Sequence, residues 1–474
     1  MTTPVATASP APARPARRAP ADLPFRFADR GLAQALAAER EEPAWLRAER
    51  IAAWKAFEDL PVESNQLYTP YVDLRNAKLE SARPYVRTAA GSAGVSADLP
   101  EGVAGVIEIV EDGLGMIVLS KATADAGVVL ETFSAALARD PKGLRADLEG
   151  GSSLPTDDKL AQLARGFWSQ GIRLVVPAGV RLDEPILIRW RSSRPERALI
   201  TRTLVRLEDG ASASIVEEME PSGPHVECAA GEEVPQGLFH GTTEVTLGRD
   251  AHLTVASIQD LPTSQVAFGH RHASIGEGAS LRWALAQLGS KLVRSRVDNR
   301  LEGDRSSVEQ VEIVFGSEDQ FFDLTSYTTH VGRDTTGNLL SKGALLDKSR
   351  SYMKGLITIE KSAIGTDSFL GEFGMNLSRA ARAVAIPSLE IDQPDCRRAA
   401  HSSSVGPIDE NQLFYLESRG IAPDEARKFI VLGFLEPVVA RVPLAGVQDQ
   451  LRTLLDEKWA ASGGMAGASG ASAA

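Results

Sequence analysis

The chain has 474 residues, a formal net charge of −12 and two cysteines, Cys228 and Cys396. The acidic balance argues against a nucleic-acid-binding protein, because such proteins usually present a basic surface. No apolar run reaches the roughly 20 residues that span a bilayer. Two thiols cannot form a four-cysteine zinc or iron–sulfur site. Low cysteine content without a recognisable secretory signal favours the cytoplasm.

The first 170 residues divide into a tail and a helical region. Residues 1–24 are rich in Ala, Pro and Arg and are predicted to be disordered, since they offer no core to bury. Residues 25–170 are predicted to form a mostly helical domain. Pro43 should divide its first helical segment in two, and Gly171 stands where a C-terminal helix cap belongs. The helical segments are predicted at 30–60, 121–140 and 157–171.

Residues 171–403 carry a repeat and contain no convincing long helix. In each copy an apolar residue is followed by polar or Gly positions and a short strand. After a first step of 40 residues the copies recur every 26 to 30 residues, a spacing typical of solenoids. Because no room is left for a crossover helix, we predict a right-handed parallel β-helix, with a β-sandwich as the alternative. The copies begin at Leu207, Leu247, Ile275, Leu301, Val331 and Ile359.

The chain returns to helix over residues 404–460, and residues 461–474 are predicted to form a flexible tail. Asp409 can cap a first helix that ends at Gly420, and Pro423 fits the first turn of a second. A third helix is predicted near the end of this region. Since a solenoid exposes an open end, these helices are expected to cap it, bind a partner, or do both.

Three stretches carry a resemblance to a known family. "QLFYLESRGIAPDEARKFIVLGFLEPV" from Gln412 resembles the C-terminal signature of the SufB/SufD family of iron–sulfur cluster assembly proteins. The segment from "FFDLTSYTTH" to "PSLEI" is similar to the late β-helix coils of that family. "FWSQGIRLVVPAGVRLDEPI" matches the family's entry into the β-helix. The resemblance covers roughly residues 160 to 440.

Within the family the chain looks more like SufD than SufB. SufB-type chains carry a cysteine where this chain has Ala381 or a close neighbour, and the early "AAWKAFEDLPV" resembles the SufD opening. Two segments depart from the SufD pattern. The segment after the opening helix reads "SNQLYTPYVDL", and Cys396 lies three residues further upstream than the family's cysteine.

The resemblance implies a scaffold rather than an enzyme. It implies that the chain pairs with a SufB-like subunit, binds a SufC-like ATPase, and helps to form a nascent cluster at the SufB–SufD interface. The sequence has no P-loop motif, so an ATPase activity must come from a partner. We expect no tightly bound cofactor in the isolated chain, a transient iron or iron–sulfur cluster in the complex, and a possible homodimer when the chain is alone.

The resemblance also assigns roles to individual residues. His401 matches the family's interface histidine and is a candidate iron or cluster ligand. Cys396 is a second candidate, whose thiolate could hold iron or sulfide. Without the resemblance, both residues fit a purely structural role equally well: His401 as a hydrogen-bonded side chain and Cys396 as a small buried side chain that packs like an apolar one. The expected SufC-docking residues are Phe414, Tyr415, Arg419, Glu425, Arg427, Phe429 and Phe434.

Three further interpretations stay open. If their segment is a strand, His270 and His272 lie on the same face of it. They could then bind a metal ion together, or they could simply belong to a polar outer face of a coil. The chain as a whole could be a SufB-like direct cluster scaffold. It could also be a β-helical carbohydrate-active enzyme, which would need clustered Asp, Lys or Arg forming a catalytic or calcium site.

Overall fold

A computed structural model describes residues 26–86, 98–149, 154–223 and 235–461. Helices occupy both ends of this part of the chain, and strands fill the middle. A 3₁₀ turn covers Thr69–Tyr71. The α-helices are α1 (Arg30–Glu39), α2 (Ala44–Asp59), α3 (Lys121–Asp125), α4 (Phe133–Arg139), α5 (Pro141–Glu149), α6 (Lys159–Phe167), α7 (Glu410–Ser418), α8 (Pro423–Val439) and α9 (Ala445–Ala461).

The strands form two long sheets. The first sheet has the order β19-β17-β15-β13-β11-β9-β7-β5-β4, with β1 beside β7, and the second has the order β20-β18-β16-β14-β12-β10-β8-β6-β2-β3. The strands are β1 (Arg83–Pro84), β2 (Gly105–Val110), β3 (Gly113–Leu119), β4 (Val129–Thr132), β5 (Gln170–Val176), β6 (Ile186–Arg191), β7 (Arg197–Leu207), β8 (Ser212–Glu220), β9 (Gly237–Leu247), β10 (His252–Gln259), β11 (Gln265–Ile275), β12 (Ser280–Gln287), β13 (Leu292–Leu301), β14 (Ser307–Gly316), β15 (Phe321–His330), β16 (Thr336–Leu345), β17 (Arg350–Ile359), β18 (Asp367–Asn376), β19 (Arg382–Ile391) and β20 (Arg398–Gly406).

From β5 onward, successive strands alternate between the two sheets, and each pairs in parallel with the strand of the next coil. This is a parallel β-solenoid of about eight coils. The prediction of a parallel β-helix is therefore confirmed, and the β-sandwich alternative is wrong because the ladders between coils are parallel.

The sequence repeat marks one corner of the solenoid. The backbone there turns through a left-handed residue, which is Gly or Asp in most copies, such as Asp250 (φ 55°) or Gly278 (φ 65°), and Arg305 (φ 60°) in the copy that begins at Leu301. The freed N–H then bonds to the next coil: Asp250 N donates to Glu277 O at 2.8 Å, and Gly278 N donates to Asp304 O at 2.9 Å. Gly tolerates this conformation without steric cost and Asp tolerates it better than most residues, which explains the Gly/Asp pattern of the repeat.

Two predicted helices have different limits in the structure. The segment predicted as one helix over 121–140 contains α3, strand β4 and α4, because Gly127 (φ 81°) ends the first helix and Val129 pairs with Val175 of β5. Helix α6 ends at Phe167, and the predicted cap Gly171 lies inside β5 instead. A Cβ at Gly171 would lie 2.3 Å from the Phe133 ring, so close packing requires this glycine.

The predicted helical region 25–170 also contains strands β2, β3 and β4, which belong to the two sheets of the solenoid. Pro43 separates α1 from α2 as expected. The last coil continues to Gly406, three residues past the predicted boundary. The predicted tail 1–24, all but the first residue of 461–474, and the residues His225 and Cys228 lie outside the described residues.

The two helical regions pack on opposite sheets. Helices α1, α2 and α6 share an apolar core with the outer face of the first sheet, and α8 and α9 share one with the outer face of the second. At the start of the solenoid the antiparallel pairs β2–β3 and β4–β5 extend the sheets beyond the first coil. No such strands follow β19 and β20 in the described chain.

Candidate functional site

The solenoid ends in two strands that are paired on one side only. Within the described residues, β19 pairs with β17 and β20 pairs with β18, and neither has a second neighbour in its sheet. Residues 401–405 of β20 are exposed, and the apolar side chains of Ile391 and Val405 are 45% and 40% exposed. Unpaired backbone groups and exposed apolar side chains together make this edge suited to pairing with another chain.

His401 lies over the open end of the core. It is in register with Leu370 of β18, which in turn is in register with Leu339 of β16. Neighbours across a parallel ladder share a face, and the side chains of Leu339 and Leu370 are buried in an apolar cluster inside the last coils. His401 continues this column but is exposed because no further coil covers it.

Cys396 lies in the turn between β19 and β20. It is a free thiol of intermediate exposure, and it packs against the same apolar cluster that contains Leu339 and Leu370. The structure thus brings Cys396 and His401 to the border of one cluster. Their roles as metal ligands stay predictions.

Glu372 lies directly below the open end and was not singled out in the sequence. It is in register with exposed Ser403 of β20, and its own side chain is buried. Its Oε2 accepts a hydrogen bond of 2.7 Å from the Ile386 N–H of β19. Burial raises the pKa of Glu372 to about 8, against the opposing effects of the Ile386 N–H and Lys354.

Gly355 makes room for that carboxylate. A Cβ at Gly355 would lie 2.5 Å from Leu370 Cδ2 and 3.0 Å from Glu372 Oε1. The signal in the sequence is an acidic residue at an inward position of a strand with period-two burial, between Gly371 and Gly374. That signal becomes informative only when the inward face and the last coil are known.

The C-terminal helices lie along the side of the solenoid. Helix α8 packs on β12, β14 and β16, and Arg441, which follows it, forms an ion pair with Glu309 of β14. In α9 the Lys458 ammonium donates to Gln320 Oε1 at 2.9 Å. These contacts hold the helices against the middle coils. The expectation that the helical tail caps the end of the solenoid is therefore wrong.

Helix α7 buries none of its residues. Phe414 and Tyr415 of α7 are 72% and 57% exposed, and Phe429 of α8 is 57% exposed. Exposed Arg419 places its guanidinium 5.1 Å from the centroid of the Tyr415 ring. We call Phe414, Tyr415 and Phe429 the aromatic patch.

The remaining predicted docking residues divide between solvent and sheet. Glu425 is exposed, and half-buried Arg427 pairs with Asp424 at 3.2 Å. Phe434 turns toward the second sheet, where the Lys342 ammonium lies 4.7 Å from its ring centroid. The structure therefore separates Phe434 from the other six residues.

His270 and His272 lie on the outer face of the first sheet, beneath the N-terminal region. His270 Nε2 is 2.7 Å from Asp298 Oδ2, and both histidines are buried. Among the described residues, no group of three or more His, Cys, Asp or Glu side chains is arranged to hold a metal ion. The calcium site that a carbohydrate-active β-helix could use thus finds no support among those residues. None of the helices described is long and apolar enough to cross a membrane.

Comparison with known proteins places this fold in a family. The family model for the SUF system FeS cluster assembly, SufBD core domain, matches residues 190–434. The chain is 27% identical over 435 residues to the iron–sulfur cluster assembly protein SufD of Bacillus subtilis, covering 89% of this chain and 95% of that protein. It is 25% identical over 444 residues to an iron–sulfur cluster assembly SufBD family protein of Staphylococcus epidermidis, covering 89% and 92%. The matched core domain spans more than half of the chain and includes the open end and most of α8, so the chain belongs to the SufBD family of iron–sulfur cluster assembly proteins.

Proposed function

We propose that this chain is a SufD-like scaffold subunit that pairs through its open end with a SufB-like subunit in the cytoplasm. The observation that carries the proposal is the pair of terminal strands, β19 and β20, each with one free edge. At the other end of the solenoid the sheets finish in the antiparallel strands β3 and β4, so within the described chain the free edges of parallel coil strands are those of β19 and β20. A partner that adds strands there satisfies the free backbone groups and covers Ile391 and Val405.

The nascent cluster would form where the two subunits meet. His401 is exposed on the free edge and offers an imidazole nitrogen, a ligand that suits iron. Because the described residues hold no three-ligand group, the remaining ligands must come from the partner, from sulfide, or from Cys396. This requirement fits a cluster that is transient and belongs to the complex.

The ATPase subunit would bind the aromatic patch. The chain has no P-loop, so ATP hydrolysis must be supplied in trans. Helix α7 leaves Phe414 and Tyr415 in solvent, and Phe429 is equally exposed. Exposed aromatic side chains beside arginine are typical of protein-binding hot spots. We therefore propose a SufC-like ATPase as the partner of this patch.

The proposal is tested by co-purifying tagged chain with SufB-like and SufC-like subunits from the same organism. We expect a complex of all three, and failure to bind either subunit would overturn the proposal. The same sizing experiment on the chain alone reports homodimers, which the open edge would also permit.

The role of His401 is tested within that complex. His401→Ala should leave the complex assembled and lower the amount of cluster formed, measured by visible absorbance and iron content. His252→Ala is the matched control, because His252 is also exposed but lies on β10, far along the chain from the open end. Equal cluster formation by the two variants would remove His401 from the proposed site.

A further inference from the structure

A cleft of about 270 Å³ lies between helix α9 and the outer face of the second sheet. Its sheet side is formed where β8 and β10 end, and β10 is five strands away from β20 in that sheet. The lining residues are Glu218, Met219, Glu220, Pro221, Ile258, Asp260, Gln450 and Leu454. Three of these side chains are carboxylates and none is a cation, so the lining is acidic.

Asp260 carries a carboxylate without a direct partner. Within the described part of the chain it takes part in no hydrogen bond and no ion pair, and its charged neighbours Lys458, Glu220 and Glu457 act on it only through their charge. The Lys458 ammonium donates to Gln320 Oε1 instead, at 2.9 Å. Burial raises the pKa of Asp260 to about 6, against the opposing charge of Lys458. This carboxylate is therefore free to accept from a ligand.

Glu218 supplies a second acceptor on the neighbouring strand. The residue is 1% exposed, and its Oε2 accepts a hydrogen bond of 2.5 Å from Arg189 Nε. Its Oε1 is buried and has no hydrogen-bond partner among the described residues. Burial raises the pKa of Glu218, and Arg189 opposes that rise. Buried carboxylate oxygens without a donor are rare in native proteins, and this one belongs to a residue that lines a cleft.

The cations around the cleft are already engaged by the protein. Arg191 lies 3.2 Å from Glu108 and 3.7 Å from Glu220, and Glu220 also accepts from Gln450 Nε2 at 3.1 Å. The charged groups at or beside the cleft are Glu108, Glu218, Glu220, Asp260 and Glu457 against Arg189, Arg191 and Lys458. Negative charge is in excess, so an anionic ligand is disfavoured and a cationic one is favoured.

We propose that this cleft binds a small organic diamine, a molecule with two primary ammonium groups on a short apolar chain. One ammonium donates to Glu218 Oε1 and the other to the Asp260 carboxylate, while the methylenes between them contact Ile258 and Leu454. Glu218 is in register with Ile258, and Asp260 follows two residues later. The strand spacing and rise then place the Cα atoms of the two acidic residues about 8 Å apart.

That separation suits two linked ammonium groups better than one metal ion. Among the described residues, no group of three or more His, Cys, Asp or Glu side chains is arranged to hold a metal. The apolar side chains of Ile258 and Leu454 between the acidic groups give a bare ion nothing to contact, whereas they bury the methylenes of a diamine.

Calorimetry on the full chain at low ionic strength tests the ligand class, with 1,4-diaminobutane as the probe. We expect one saturable site per chain for the diamine. The uncharged 1,4-butanediol and Mg²⁺ should not bind there, because the first lacks the charge and the second lacks the apolar chain. Absence of saturable diamine binding, or displacement of the diamine by an equal concentration of Mg²⁺, would overturn the proposal.

Asp260→Asn tests the position of the site. It should weaken diamine binding at least about tenfold, since it removes a charged acceptor. The urea midpoint of unfolding should stay equal or rise, because Asp260 has no protein partner to lose. Asp449→Asn is the matched control: it removes the same charge from α9, next to Gln450, but its side chain is 80% exposed and pairs with Arg452. Equal weakening by the two variants would show general attraction by the acidic surface and no site in the cleft.

Discussion

The two helical regions of the molecule attach to the solenoid in opposite ways. Beneath the N-terminal region lies a layer of buried ion pairs between that region and the first sheet. Arg202 of β7 contacts Glu244 and Glu49, and Arg294 of β13 contacts Glu63. On the C-terminal side, ion pairs such as that of Arg452 with Glu436 are about half exposed.

The N-terminal region is therefore fixed to the solenoid by buried contacts, whereas the C-terminal side leaves surface exposed to which a partner could bind. The N-terminal region is held to the first sheet by ion pairs that are buried or nearly so. The C-terminal side leaves the aromatic patch exposed and two strand edges unpaired.

The largest expected effect comes from breaking the buried layer. Arg202→Met should lower the free energy of unfolding by about 3–5 kcal/mol, because it leaves the fully buried Glu244 carboxylate without its cation. Urea unfolding followed by circular dichroism measures the change.

Arg452→Met is the matched control on the C-terminal side. Arg452 pairs with Glu436 and Asp449 at the surface, where water screens the charges, so we expect no measurable change in the urea midpoint. If the two variants unfold at the same urea concentration, the contrast between the two regions is wrong.

The coils were predictable because their signal is local. Each corner has a residue at positive φ, and in most coils that residue is Gly or Asp, so these two residue types recur at the spacing of one coil. The strand β4 inside a predicted helix was not predictable in this way. Val129 pairs with Val175, 46 residues away, and that long-range pairing outweighs the helical pattern of the segment.

The site was predictable only where the family resemblance reached it. The resemblance indicated His401, and the structure places it on the free edge. The family resemblance could not show which aromatic side chains of α8 face solvent. Phe429 and Phe434 are five residues apart, which rotates them by about 140° around a helix, so one turns outward when the other faces the sheet. Glu372 was missed because its burial depends on Gly355 and on the register of β18 with β20.

Glu372 gives the open end of the solenoid a pH dependence. Its pKa of about 8 is above the ordinary value of 4.5, so the folded state keeps a proton that the unfolded state loses between those pH values. Stability from this group is therefore present at low pH and falls as pH rises toward 8. Between pH 6 and pH 9, the native chain should lose about 2 kcal/mol more stability than Glu372→Gln.

Urea midpoints at the two pH values measure this loss. Glu390→Gln is the control, because Glu390 lies on β19 but is exposed. We expect its pH dependence to match that of the native chain. Equal slopes for all three proteins would show that Glu372 does not titrate in this range.

The smallest expected change in stability is for variants of the aromatic patch. These variants test whether the patch binds a partner. The double variant Phe414→Ala/Phe429→Ala removes side chains that are mostly in solvent, so the urea midpoint should stay unchanged. If the patch binds a SufC-like ATPase as proposed, affinity for that subunit should fall at least about tenfold, measured by calorimetry.

Phe434→Ala is the opposing control, because its ring packs against the second sheet and contacts Lys342. It should lower the midpoint. If the double variant binds the ATPase as tightly as the native chain, the aromatic patch is not the binding site for that subunit. The evidence for a partner-binding surface would then be limited to the free edges of β19 and β20.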